Sequence, residues 1–185
     1  MASNPLKHKI SLFILIAIVL AGCNLVDSKM ERLTIDDEFT IDIPVYMEEM
    51  TVYDESALAQ YGSEYHEHYV GLIREPNDIA IPGYEEVSLE VFAMVCEENA
   101  GYSLGDYQSE KLDDTYETRN EMESVSYRTT GIFTNEKEQE LPLVYYNMYY
   151  KGKDYFYIVT TWTIADREIK FQKNMRHIVE SLKEL

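Results

Sequence analysis

Cysteine is scarce in this 185-residue chain: only Cys23 and Cys96 are present. A disulfide framework or a cysteine-built zinc site is therefore excluded as an organising principle. Basic residues are also few, 16 Lys and Arg against 34 Asp and Glu. That balance excludes nucleic acid as a partner, because phosphates need a basic face. Glycine (8) and proline (5) are sparse and scattered, and the glycines suit turns better than phosphate cradles. No G-x-S-x-G elbow, phosphate loop or dinucleotide glycine pattern occurs, and no repeat or low-complexity segment is visible.

The opening residues carry an address. Lys7, His8 and Lys9 form a short basic start, Leu12 to Leu20 an unbroken apolar run, and Ala21 and Gly22 a small-residue end. That is the layout of a secretory signal peptide. The run is too short for the roughly 20 residues that cross a bilayer as a helix, which sets aside an uncleaved anchor. Leu20, Ala21, Gly22 and Cys23 resemble the lipobox of bacterial lipoproteins. The resemblance implies cleavage between Gly22 and Cys23, acylation of the Cys23 thiol, and attachment to a bacterial membrane through the lipid. With Asn24 next, the sorting pattern it resembles favours the outer membrane where there is one. The covalent lipid on Cys23 is the one non-protein group expected, with no other cofactor. Cys96 is then left without a disulfide partner and reads as an inert, partly buried thiol.

Cleavage removes Lys7 and Lys9 and no acid, leaving 14 bases against 34 acids, a net charge of 14 − 34 = −20. Two or more acyl chains, not electrostatics, would hold such a chain at a membrane. The sequence thus divides into a signal peptide (1–22), a lipidated start and tether (23–33) and one domain (34–185).

Residues 38–46 alternate as a half-buried strand, with Phe39, Ile41 and Ile43 inward. Residues 57–75 read as a hairpin turning at Gly62 and Ser63, and 77–83 as a loop. Helical spacing over 84–98 gathers Tyr84, Val87, Val91, Met94 and Val95 on one side and turns Glu86, Glu90 and Glu97 away, with Gly101 as the stop. A strand-rich half follows, in "ESVSYRTTGIFTN", "LPLVYYNMYY" and "YFYIVTTWT". Thr163 and Asp166 suggest a capping box for a last helix whose stripe is Ile164, Phe171, Met175, Ile178, Val179 and Leu182. Opposite lie Arg167, Lys170, Lys173, Arg176 and His177, with Ile169 as a misfit. These cations are the main basic concentration and the best candidate face for a partner such as an envelope protein.

The Phe39-to-Pro44 strand, the "YIVTTWT" hairpin strand and the closing "HIVESL" resemble the PsbP-like fold, also used by Ran-binding nuclear import factors. The resemblance implies a single α/β/α sandwich with a mainly antiparallel sheet flanked by helices, and a binding or assembly role. Three further sites are readable. Glu64, His66 and His68, spaced by two, would share a strand face and form a candidate metal site, weighed against ordinary exposed hairpin residues. The acidic pairs Asp36–Asp37, Glu85–Glu86 and Asp113–Asp114 lack calcium-loop spacing and read as solvated charge. Tyr145, Asn147 and Tyr149 alternate with Tyr146, Met148 and Tyr150, so only one set needs to be core, and an exposed set would form cross-strand pairs, the favoured reading, or a ligand surface. The expectation is a non-enzymatic accessory module. The alternative is a small-molecule or peptide binder using the tyrosine-rich sheet, and a hydrolase ranks third.

Overall fold

The computed structural model describes residues 29–51, 57–113, 117–135 and 137–185. Gly22, Cys23 and the signal run lie outside the described residues. The elements are β1 (Met30–Ile35), β2 (Phe39–Pro44), β3 (Glu48–Glu49), β4 (Ala59–Ser63), β5 (His68–Pro76), α1 (Leu89–Ser103), β6 (Gly105–Lys111), β7 (Glu117–Arg119), β8 (Met122–Thr134), β9 (Glu140–Lys151), β10 (Tyr155–Ile164), α2 (Glu168–Glu180) and β11 (Lys183–Glu184).

The large sheet runs β3-β4-β5-β10-β9-β8-β6, with β7 on β8, and every pairing is antiparallel. Its centre is β5, β10, β9 and β8, where β-branched and aromatic residues alternate between two buried faces. A three-stranded sheet, β1-β2-β11, joins α2 in covering one face. There Phe39, Ile41 and Ile43 of β2 meet Val70, Leu72, Tyr146 and Val159 of the large sheet and Phe171, Met175 and Ile178 of α2, all buried. On the other face α1 sets Leu89, Phe92 and Ala93 against Val125, Tyr149 and Phe156, with the Phe92 and Phe156 rings stacked at 4.4 Å. The fold is thus a mixed α/β sandwich of mainly antiparallel strands with two helices, as expected.

Several local readings change. The β4–β5 hairpin turns over residues 64–67, not at Gly62 and Ser63, which belong to β4 and pair with Tyr69 and His68 of β5. β1 starts at Met30, inside the expected tether, and its six pairs with β2 place Met30–Leu33 in the fold. The middle helix spans 89–103, capped by Ser88, whose hydroxyl accepts from the Val91 amide at 3.2 Å. Gly101 lies within it. The buried stripe is Leu89, Phe92, Ala93 and Glu97, so Glu97 points inward and Met94 outward. Thr163 is not a cap but the penultimate residue of β10, buried with its Oγ1 unpartnered. Glu168 opens α2 after one 3-10 turn, Ala165–Arg167. Phe171, Met175, Ile178 and Val179 do form the buried stripe, and Ile169 is exposed as the misfit expected.

Candidate binding groove

Helix α1 covers only part of its face of the large sheet. Where it stops, the strands leave side chains uncovered in successive rungs. Tyr69, Trp162 and Tyr145 occupy one rung across β5, β10 and β9; Gly71, Thr160 and Asn147 occupy the next. The aromatic planes run nearly parallel, with centroids 5.4 Å apart for Tyr69–Trp162 and 6.1 Å for Tyr145–Trp162. Leu141 and Phe133, directly paired between β9 and β8, form one wall, and Gln60, Glu67 and Ile73 contribute to the other side. The cavity holds about 420 Å³. A second space of about 340 Å³, between the end of α1 and the sheet, shares Phe133, Tyr145 and Thr160 with it. The two make one apolar groove of the size that takes a small organic molecule.

Gly71 makes the floor deep. It sits at the centre of a strand with no side chain, and a Cβ there would stand 3.3 Å from the Thr160 methyl and 3.8 Å from the Trp162 ring. The polar groups around the floor are committed to one another: Thr160 donates to Asn147 Oδ1 at 2.7 Å, and Asn147 donates to Glu97 Oε1 at 2.8 Å. Burial pushes the Tyr145 phenol up to about 12, so it stays neutral. Among the described residues that line it, the groove therefore offers aromatic and aliphatic surface with Glu67 as the single formal charge, and Glu67 pairs with Arg167 at 2.9 Å.

Glu97 anchors the covering helix. Its Oε1 accepts from Asn147 and from Tyr149 (2.7 Å), and its Oε2 from Tyr107 (2.9 Å), Ser109 (2.7 Å) and Thr129 (2.7 Å). Five donors from β6, β8 and β9 thus converge on one buried carboxylate, which compensates its desolvation through hydrogen bonds. Burial, then the Glu97 charge, raise the Tyr149 phenol well above its ordinary range.

The metal candidates do not share a strand face. Glu64 and His66 lie in the β4–β5 turn, while His68 opens β5. His68 is fully buried and stacks on Phe171 at 4.8 Å. The Tyr46 hydroxyl donates to its Nδ1 at 2.7 Å, and its Nε2–H donates to Thr161 Oγ1 at 2.9 Å, which in turn donates to the Tyr69 carbonyl. Both ring nitrogens are used within the core, and burial pushes this imidazole down to about 3. Among the described residues no group of three His, Cys, Asp or Glu is placed to hold a metal.

The basic face of α2 is engaged within the molecule. Arg167 donates to the Tyr65 carbonyl and bridges Glu67, Lys170 lies over the Phe171 ring at 4.8 Å, and Arg176 over the Tyr146 ring at 5.7 Å. Lys173 is exposed on the same side, and His177 meets Asp42 at 3.3 Å. Cys96 lines the second space, its thiol pushed up to about 12 by burial. Glu97 and Trp162 were both within reach of sequence reasoning. Glu97 stands eight residues after Leu89, on the stripe of Phe92, Ala93 and Cys96, and Trp162 alternates with Thr160 onto the face of Tyr145.

No known protein family matches the chain. No curated protein matches it in sequence. Solved structures share its fold: cyanobacterial PsbP from Synechocystis sp. PCC 6803 (10% identity, 88% of this chain and 97% of that one, TM-score 0.57), LpqN, involved in cell envelope biogenesis of Mycobacterium tuberculosis (9%, 85% and 92%, 0.51), and the Saccharomyces cerevisiae Ran-binding protein Mog1p (7%, 84% and 95%, 0.51). At such identities the similarity concerns the fold.

Proposed function

We propose that the chain is a lipid-anchored, non-enzymatic binding module of the bacterial envelope, with acyl chains on Cys23 as its anchor and the Trp162 groove as its working site. The observation that carries the reading is the uncovered aromatic rung Tyr69–Trp162–Tyr145 in a sheet whose other face is closed by α2 and the small sheet. A sheet face left with this much apolar surface marks a binding site. The groove's polar groups bind one another, which suits holding an occupant better than transforming it. The lipobox supports the anchor and the membrane address, at the outer membrane where the host has one. Similarity of fold to LpqN, involved in cell envelope biogenesis, and to the Ran-binding Mog1p is consistent with an accessory role through binding.

Trp162 is the only tryptophan in the chain, so its emission reports on the groove alone. Titration with the uncharged probe N-phenyl-1-naphthylamine is expected to quench it saturably. Gly71→Leu, which fills the floor on an ordinary strand backbone, is expected to weaken binding by about tenfold or more, as a loss of 1.4 kcal/mol implies. Non-saturable quenching, or equal affinity in a folded Gly71→Leu variant, would remove the groove as the site.

A further inference from the structure

We infer that one end of the molecule, formed by the β4–β5 turn, the start of α2 and the β8–β9 hairpin, lies against the lipid bilayer. The inference rests on Cys23 being the anchored residue. His68, Thr163, Val144 and Thr130 share a rung, so these three connections leave the large sheet at the same end. The first described residue emerges there as well. The Lys29 carbonyl accepts from the Val45 amide at 3.0 Å, the neighbouring Tyr46 ring lies 4.3 Å from His66, and His66 lies 6.0 Å from Phe171. From Cys23 to Lys29 is six residue steps, which span at most about 20 Å however that segment runs. A domain held so closely presents to the bilayer the end from which its tether leaves.

That end is furnished for contact with lipid. Tyr65 is 85% exposed and Ile169 is 92% exposed, large apolar side chains that the described residues leave uncovered. Val45, Phe133 and Leu141 are exposed there too. Lys170 and Lys173 flank Ile169, placing ammonium groups beside an apolar tip, the arrangement that interfacial segments use at headgroup level. Glu64 and Glu67 share the turn with Tyr65, so the patch is not strongly basic. Its effect is on orientation, with the acyl anchor supplying affinity. Because Glu67, Phe133 and Leu141 also line the groove, this orientation turns the groove mouth toward the bilayer.

The orientation can be tested apart from natural lipidation by supplying the lipid chemically. The chain from Cys23 onward, with Cys96→Ala, would be coupled through Cys23 to a maleimide-headgroup lipid in vesicles of phosphatidylcholine and phosphatidylglycerol. Lysines are then acetylated with a membrane-impermeant reagent. Lys170 and Lys173 are expected to react several-fold more slowly on vesicles than in solution, while Lys153, in the β9–β10 turn at the opposite end of the sheet, reacts at its solution rate. Replacing Tyr65 and Ile169 together by Ser is expected to restore the rate at Lys170. Equal rates on vesicles and in solution at Lys170, or protection of Lys153 instead, would overturn the orientation. Absence of lipid from host-made protein would overturn the anchor reading without altering this result.

Discussion

His68 shows how one residue can be misjudged from spacing alone. A histidine two residues from another and four from a glutamate suggests ligation, yet this ring is a core hydrogen-bond relay between Tyr46 and Thr161. The turn at residues 64–67 breaks the alternation on which the metal pattern depends. The relay has a measurable consequence. The folded-state pKa of about 3 lies below the unfolded value of 6.5, so the folded state binds fewer protons in between. Its stabilising contribution is complete above pH 6.5 and is lost as pH falls toward 3. His66, also lowered by burial, acts in the same direction. Asp42 and Glu168, lowered chiefly by their hydrogen bonds to Arg32 and Arg128, lose their contributions only below about pH 4.5. Urea-unfolding free energies measured between pH 7 and 5 are therefore expected to fall with a histidine slope approaching about 1.4 kcal/mol per pH unit below 6.5. His68→Gln should flatten that slope; an unchanged slope would place the titration elsewhere.

At the scale of elements, what could be read depended on how much of each pattern lay within the segment itself. β2, β8, β9, β10 and the buried stripe of α2 are long and periodic, and they stand where the sequence puts them. β6, "GDYQSEK", is polar on both faces and becomes a strand only through pairing with β8. β1 similarly takes its identity from β2, with Arg32 donating twice to Asp42. α1 was legible as a helix but not in its facing. Val91, Met94 and Val95 are apolar, yet the stacking of Phe92 on Phe156 and the capture of Glu97 by the sheet turn the Leu89–Phe92–Ala93 stripe inward. That capture gives the element-scale prediction. Glu97→Leu leaves five donors around an apolar group and Glu97→Gln sets an amide against several of them. Each is expected to destabilise the fold by about 2–4 kcal/mol, read as a lowered urea midpoint. A Glu97→Leu variant as stable as the parent would show that the network does not hold α1 in place.

At the scale of the whole molecule, the two halves of the proposal come from different sources. The proposed address rests on the lipobox resemblance of residues 20–23 and needs no fold. The groove needs all of it: β5, β10 and β9 for the aromatic rung, Gly71 for depth, and an α1 that ends short of the sheet's edge. The alternation of Tyr145 with Tyr146 required only one tyrosine set to be core; Tyr146 and Tyr150 lie in the core behind α2, Tyr149 is buried behind α1, and Tyr145 lines the groove. Which residues would then be left uncovered depended on strand order, through which Tyr69 and Trp162 join Tyr145. Among the described residues no helix is long and apolar enough to cross a membrane.

The most direct test places a photo-reactive phenylalanine derivative at position 145 in the full chain and irradiates intact cells. An adduct is expected in the membrane fraction that disappears with Gly71→Leu and is not formed from position 84, whose tyrosine is exposed and does not line the groove. A chain found in the soluble fraction, or identical adducts from positions 145 and 84, would contradict it.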